Sequence, residues 1–396
     1  MDWKRQLGIA GGLGVLALVL TATASPYLFE SRYQAHSFPE SLNTASATGE
    51  VKVVTHLPTP SPLKALYMTA CVAGTSSWRE SLKQTIEDTE LNAIVVDIKD
   101  YSGTVSFPNN FEKPVYRRGC TVSDLQNFIT ELHESEIYVI GRISVFQDPA
   151  YTALHPELAV KSKATGYVWK DHKGLSFIDV GARPYWDYIV GISRASYEIG
   201  FDELNFDYVR YPSDGDMSDT NFTWTGTSTK AAMLESFFAY LHDELKPSGV
   251  VISADLFGMT TSVTGDMGIG QVLEKALPYF DYVAPMVYPS HYPATWHGFA
   301  NPAEHPYEVV NIAMMDGRRK EQALDLAQGL ATSTPSKLRP WLQDFNLGAT
   351  YGPDKVEAQI QATYDSGLTS WMIWSAANKY TVTALLPDTS NLRAGH

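Results

Sequence analysis

The sequence predicts a (β/α)8 barrel, and three observations carry that expectation. Eight short apolar runs, rich in β-branched and aromatic residues, lie between about residues 64 and 386. Amphipathic stretches alternate with them, which is the pattern of parallel βαβ units. Eight strands close a barrel, and 396 residues leave room for one such domain with insertions. A doubly wound open sheet is the competing arrangement. No glycine-rich phosphate fingerprint follows the first run, so no dinucleotide site is expected.

The strands read in order as ALYMTACV (65–72), NAIVVDIKD (92–100), IYVIGRISVF (137–146), DELNFDYVRYP (202–212), VVISADLFG (250–258), DYVAPMVYP (281–289), RPWLQDFN (339–346) and SWMIWSA (370–376). Helices are expected to start near Ser77, Thr121, Pro184, Thr229, Gly268, Asn301 and Pro353. Thr121, with Asp124 three residues on, approaches a capping box. Pro184 and Pro353 suit a first helical turn, where the missing N–H has no partner to lose.

Ahead of this body, Lys4 and Arg5 precede an uncharged run from Gln6 to Phe29. Ala22-Thr23-Ala24 has the small-x-small form of a signal-peptidase site. The run therefore reads as a cleaved signal peptide or as a membrane anchor, interrupted by Pro26. Either puts the body outside the cytoplasm. Residues 30–62 are rich in Ser, Thr and Pro and read as an extended linker, or else as a loop packed on the body. The barrel domain is expected over 63–388, with a tail at 389–396.

Composition narrows the function. Apolar residues at 44 % against 19 % charged exclude wholesale disorder. The net charge of −14 argues against non-specific binding to nucleic acid or anionic lipid, which need a basic footprint. A membrane partner is expected only through residues 6–29. Two cysteines, Cys71 and Cys120, make neither a disulfide scaffold nor a four-thiolate zinc site, and read as free thiols. The ten histidines form no HExxH and no tight ligand spacing, so no metal and no cofactor is expected. SDGDMSD (213–219) lacks the downstream Glu of a calcium loop and reads as solvated. The lipase elbow GxSxG is absent. The stretch 147–183, with His155, Trp169, Asp171, His172 and Lys173, is long enough to shape a cleft at the catalytic end.

In a barrel the active site lies at the C-terminal strand ends, so polar residues there matter most. They are Asp97, Lys99 and Asp100 on the second strand and Arg142 on the third. Asp207, Tyr208, Arg210 and Tyr211 follow on the fourth, and Asp255 on the fifth. Met286, Tyr288 and His291 belong to the sixth, Gln343 and Asp344 to the seventh, and Trp374 to the eighth. Carboxylates deep in a barrel cost desolvation unless they are paired or functional. Period-two alternation puts Glu203, Asn205 and Asp207 on one face, Ser253 and Asp255 on one face, and Val95, Asp97 and Lys99 on one face. Asp207 and Asp255 rank first as catalytic carboxylates, then Asp97, while Asp344 falls toward the rim.

Two carboxylates facing an aromatic-lined concavity suit glycoside hydrolysis. One gives a proton to the leaving oxygen, and the other attacks the anomeric carbon or activates water. Arg142, Arg210 and Lys99 are candidates to keep the second ionised. Tyr101, Tyr288 and Trp374 are candidates to contact sugar, with packing at the barrel mouth as the alternative.

At GFDELNFDYVRYP, VVDIKDYSG, ISADLFG, VAPMVYPSHY and RPWLQDF, over about residues 64–380, the chain resembles a family of glycosyl hydrolase domains of unknown function that form a barrel. The resemblance implies a (β/α)8 barrel, a polysaccharide or oligosaccharide substrate, and Asp207 as the central carboxylate. More distantly the chain is similar to family-18 chitinases and to the α-amylase superfamily. The chitinase pattern DxxDxDxE, laid on Asp202 and Asp207, puts Asn205 at an Asp position and Val209 at the acid Glu. The amylase pattern implies Asp207 as nucleophile, Asp255 at the position of the acid, and Asp344 on the seventh strand. On that pattern a retaining mechanism is expected. The expected activity is an exported glycosidase acting on a cell-wall or extracellular polysaccharide. The alternative is a barrel that binds carbohydrate without turnover.

Overall fold

Eight parallel strands close on one another in the order in which the chain makes them. The computed structural model describes residues 54–111, 119–330 and 335–387. The strands are β1 (Lys64–Met68), β2 (Ala93–Lys99), β3 (Tyr138–Ser144), β4 (Glu203–Asp207), β5 (Val251–Phe257), β6 (Tyr282–Met286), β7 (Trp341–Gln343) and β8 (Trp371–Trp374). Ile373 of β8 pairs with Leu66 of β1, which completes the ring. A barrel therefore forms, and the open sheet does not.

The alternation within each strand explains the closure. In β2, Ala93 and Val95 point into the barrel with Tyr67, Ile140 and Trp341, while Ile94, Val96 and Ile98 pack outward under the helices. Both faces are buried, as strands in a parallel barrel require. The main helices are α1 (Ser76–Glu87), α2 (Leu125–Glu134), α3 (Arg183–Glu198), α4 (Lys230–Leu245), α5 (Leu273–Ala276), α6 (Pro306–Ala327) and α7 (Pro353–Asp365). In α4, Leu234, Phe237, Phe238, Leu241 and Leu245 recur at helical spacing and are all buried. Each such side chain contributes about 1.5–3 kcal/mol by leaving water. Thr229 caps α4 by accepting from Ala232 N at 3.2 Å.

Several boundaries differ from the sequence reading. Helix α2 starts at Leu125, not Thr121. Asp124 sits at the cap but makes no capping bond, because its carboxylate pairs with Arg79 at 2.8 Å. The helix expected from Gly268 shrinks to α5, because Gly268 and Gly270 take φ of +71° and +86° and turn the chain first. The strands are shorter than the apolar runs, whose ends turn into the loops at the C-terminal end of the barrel. Residues 147–183 hold a six-residue helix (Pro149–Leu154) and a strand, Lys161–Ser162, that pairs antiparallel with Thr220–Asn221 from the loop after β4.

Two expectations need correction. Cys71 and Cys120 are not free thiols: they form a disulfide across 49 residues, tying the turn after β1 to the approach to α2. Composition could not show this, because pairing depends on which loops the barrel brings together. Closing a loop of this length contributes about 2–4 kcal/mol. Reduction is therefore expected to lower the melting temperature by several degrees, read in thermal melts with and without reductant. A Cys71→Ser, Cys120→Ser double variant that melts with the oxidised parent would refute it. The second correction concerns the described end of the linker. Leu57 N donates to Asp202 Oδ1 at 2.7 Å, and Thr59 Oγ1 lies 3.0 Å from Tyr138 Oη. His56 stacks on Tyr197 at 3.9 Å. Residues 54–62 are thus packed on the barrel. The expected leader at 1–29, the rest of the linker and the tail at 389–396 lie outside the described residues. Among the described residues no helix is long and apolar enough to cross a membrane.

Candidate active site

Strand register decides which polar groups meet. Asp97 pairs with Arg142, Arg142 with Asn205, and Asn205 with Ser253 across β2, β3, β4 and β5. Asp207 and Asp255 lie two residues further along β4 and β5. Paired residues in a parallel sheet point the same way, so all these side chains enter the barrel. Asp207 is the last residue of β4. Tyr208 follows it with φ of +52°, a left-handed conformation that a non-glycine residue adopts only where its surroundings impose it. That turn brings Tyr208 N to 2.5 Å from Asp207 Oδ1.

Arg142 organises the cluster. Its Nη1 donates to Asp97 Oδ1 at 2.7 Å. Its Nε and Nη2 both donate to Asp207 Oδ2, at 3.1 and 2.5 Å. Asp255 Oδ2 lies 4.0 Å from Nε. Three carboxylates therefore surround one guanidinium, and all four groups are buried. Asp97 also accepts from Tyr67 Oη at 2.6 Å. Asp255 Oδ1 accepts from Asn205 Nδ2 at 2.9 Å and Trp341 Nε1 at 2.8 Å. Deeper in the barrel, Glu203 accepts from Ser253 Oγ at 2.6 Å and from Arg339, which fills the floor with paired charge.

The carboxylates are not equivalent. Burial pushes Asp255 up to about 8, and the negative charge of Asp207 adds to the rise; Arg142 opposes it. Burial raises Asp97 as well, against the pull of Arg142 and Tyr67. Burial works to lower Arg142, but Asp207 and Asp97 outweigh it and hold the guanidinium charged. Burial thus favours the protonated form of Asp255. Its Oδ1 is taken by two donors, which leaves Oδ2, the oxygen on the Arg142 side, as the one free to carry a proton.

Aromatic rings line the same end. Trp374 stacks on Tyr67 with centroids 3.8 Å apart, and the Arg142 guanidinium lies 5.0 and 5.5 Å from the two rings. Trp341 meets Trp374 edge-on at 5.6 Å. Tyr288 is buried, and its hydroxyl is raised by burial and then by Asp255 and Asp207. Tyr67 and Trp341 were missed as site residues. Alternation puts Tyr67 on the face of Ala65, and Trp341 on the face of Gln343, so the signal was present. Nothing local showed that their polar atoms end on Asp97 and Asp255.

Four expected site residues stand apart from the cluster. Lys99 does not share the face of Asp97, because the β2–β3 register shifts between the two. Its ammonium is fully buried against Asp148 Oδ2 at 2.9 Å and the Ser144 carbonyl. Asp344 accepts from Thr381 N and Oγ1 at 2.6 and 2.7 Å, so it fastens the chain after β8. Tyr101 is exposed on the loop after β2. Arg210 lies just past Asp207, among the rings of Tyr208, Phe257 and Phe177. Of the chitinase-like positions, Asp202 binds His133, Val139 N and Leu57 N at the other end of β4, and Val209 is in the apolar core.

The chain matches the family described as "Putative glycosyl hydrolase domain" over residues 65–380. No curated protein matches it. It is similar to the glycoside hydrolase domain of PgaB (BpsB) from Bordetella bronchiseptica, at 15 % identity and TM-score 0.59, covering 84 % of this chain and 98 % of that one. Alpha-L-fucosidase isoenzyme 2 from Paenibacillus thiaminolyticus aligns at 10 % identity and TM-score 0.55, over 81 % of this chain and 48 % of that one. At these identities the likeness is one of fold. A hypothetical protein from Ruminiclostridium thermocellum ATCC 27405 is 33 % identical over 48 % of this chain and 96 % of its own, with TM-score 0.42. With its barrel closed and the family match spanning nearly every described element, the chain belongs to this glycosyl hydrolase family.

Proposed function

We propose that this protein is an exported glycoside hydrolase that cleaves a cell-wall or extracellular polysaccharide through Asp207 and Asp255. The observation that carries the reading is the unequal pair on neighbouring strands: Asp255 is buried where burial and the charge of Asp207 raise it, and Asp207 is held against Arg142. In the first step Asp255 Oδ2 gives its proton to the leaving glycosidic oxygen. Asp207 attacks the anomeric carbon and forms a glycosyl ester. In the second step Asp255, now ionised, takes a proton from water, and that water displaces Asp207. Asp97 and Tyr67 hold Arg142 in place from the far side.

Export is supported by the Cys71–Cys120 bond, since such bonds persist in oxidising compartments. The leader or anchor at residues 6–29 rests on the sequence alone. The test is reducing-end release from a panel of α- and β-glucans, chitin, galactosaminoglycans and peptidoglycan glycan strands, with the anomer of the first product read by NMR. Retained configuration supports Asp207 as nucleophile; inverted configuration refutes it.

The acid role sets a pH limit. Activity is expected to fall as pH rises through about 8, where Asp255 loses its proton. Stability follows the same group. Its folded value lies above the ordinary 3.8, so the folded state holds the proton more tightly. Stability therefore declines from about pH 4 to about pH 8 and is flat in this term above that. Asp255→Asn keeps an oxygen for Asn205 and Trp341 but carries no charge. It should lose turnover and gain on the parent in urea melts as pH is raised from 5 to 8. A constant difference across that range would remove Asp255 as the protonated member.

A further inference from the structure

Three arginines are buried within the barrel or at its mouth, and they are not treated alike. Arg142 is surrounded by Asp97, Asp207 and Asp255, and Arg339 pairs with Glu203. Arg210 is 9 % exposed, yet its hydrogen bonds among the described residues go to the Tyr211 carbonyl and Ser213 Oγ, and none goes to a carboxylate. Burial lowers its pKa, and the more distant charges of Tyr208, Asp207, Asp171 and Asp214 do not restore it. A guanidinium is always protonated in practice, so this site holds a desolvated positive charge without a close partner.

Its donors are unevenly used. Nη1 donates to the Tyr211 carbonyl at 3.0 Å and to Ser213 Oγ at 3.2 Å. Nε and Nη2 donate to no described residue, and neither is among the sealed, partnerless atoms. Those two N–H groups share one edge of the plane, the same edge with which Arg142 holds Asp207. Such an edge matches a carboxylate through two parallel bonds. The rings of Tyr208, Phe257 and Phe177 lie 5.1, 5.0 and 5.9 Å from the guanidinium carbon and fix the plane. Tyr208 follows Asp207 directly, and Phe257 lies two residues beyond Asp255. Arg210 thus stands outside the carboxylate cluster but three residues beyond Asp207 and within reach of its charge, at the end of β4.

We propose that Arg210 is a carboxylate-recognising residue, and that the substrate is an acidic glycan whose sugar next to the scissile bond carries a carboxylate. This rests on the glycosidase reading above. The carboxylate belongs either to a uronic acid ring or to an ether-linked side arm, as on the lactyl sugar of peptidoglycan. Two charge-assisted bonds account for about 10- to 100-fold in kcat/KM.

The experiment compares one acidic oligosaccharide with its methyl ester, for a uronate series and for lactyl-bearing glycan strands. Reducing-end release and equilibrium binding are both measured, on the full chain. The parent should favour the acid over the ester about 10- to 100-fold in one of the two series, which names the source of the carboxylate. Arg210→Gln should erase that preference, bringing the acid-to-ester ratio of kcat/KM close to one through a higher KM on the acid. Arg210→Lys keeps the charge but not the fork, and should recover part of the preference. If the parent cleaves acid and ester equally, or cleaves only neutral glycans, the assignment of Arg210 is overturned and the glycosidase reading stands. If nothing is cleaved but acid binds better than ester through Arg210, recognition stands and the glycosidase reading falls. Binding without preference, or no binding, overturns the proposal. The ester comparison uses the parent alone, so a variant that fails to fold does not hide the answer.

Discussion

Asp207→Asn is expected to abolish reducing-end release, by at least about a thousandfold, while leaving sugar binding intact. The substitution is close to isosteric. Its amide oxygen still accepts from Arg142, and Arg142 keeps Asp97 at 2.7 Å as its anionic partner. What disappears is the charge that attacks the anomeric carbon. The neighbouring effect has a defined sign: the charge of Asp207 helps to raise Asp255, so its removal should bring the alkaline limb of any residual activity below about 8. A downward shift ties both residues to one chemical event. Equal release by parent and variant would remove Asp207 from the chemistry. No release by either form, with binding retained by both, would leave a barrel that binds carbohydrate without turnover.

Arg142→Met should cost about 3–5 kcal/mol of stability, measured by urea denaturation at neutral pH. Methionine fills much of the aliphatic volume, so the loss is electrostatic rather than a cavity. Without the guanidinium, Asp97, Asp207 and Asp255 face one another in a buried space. Arg142 is what restrains the upward shifts of Asp97 and Asp255. In the variant both carboxyls should hold protons to higher pH in the folded state than in the parent. Folding then takes up more protons, so the deficit should grow from pH 5 to pH 8 and shrink in acid. A loss under 1 kcal/mol, or one that does not vary with pH, would show that Tyr67, Asn205 and Trp341 suffice to hold the cluster.

Much of this architecture is written locally. The eight apolar runs each contain a strand, because alternation within a run fixes which side chains face the barrel and which face the helices. The same alternation put Glu203, Asn205 and Asp207 on one face, and Asp255 with Ser253, where the structure has them meeting. Tertiary contacts decided the partners. Lys99 obeys the alternation on paper, yet the register shift after Asp97 sends it to Asp148, 49 residues on. Asp344 is claimed by Thr381, which only the closed ring brings near. Cys71 finds Cys120 for the same reason.

The sequence by itself determined the order of elements and the set of inward-facing carboxylates, since these depend on periods of two and 3.6 residues along the chain, while closure into a barrel rather than an open sheet came from the pairing of β8 with β1. Only the tertiary structure decided which carboxyl group burial raises and which buried arginine, among the described residues, pairs with no carboxylate. Those properties are set by desolvation and by charges on neighbouring strands, and neither exists until the strands are side by side.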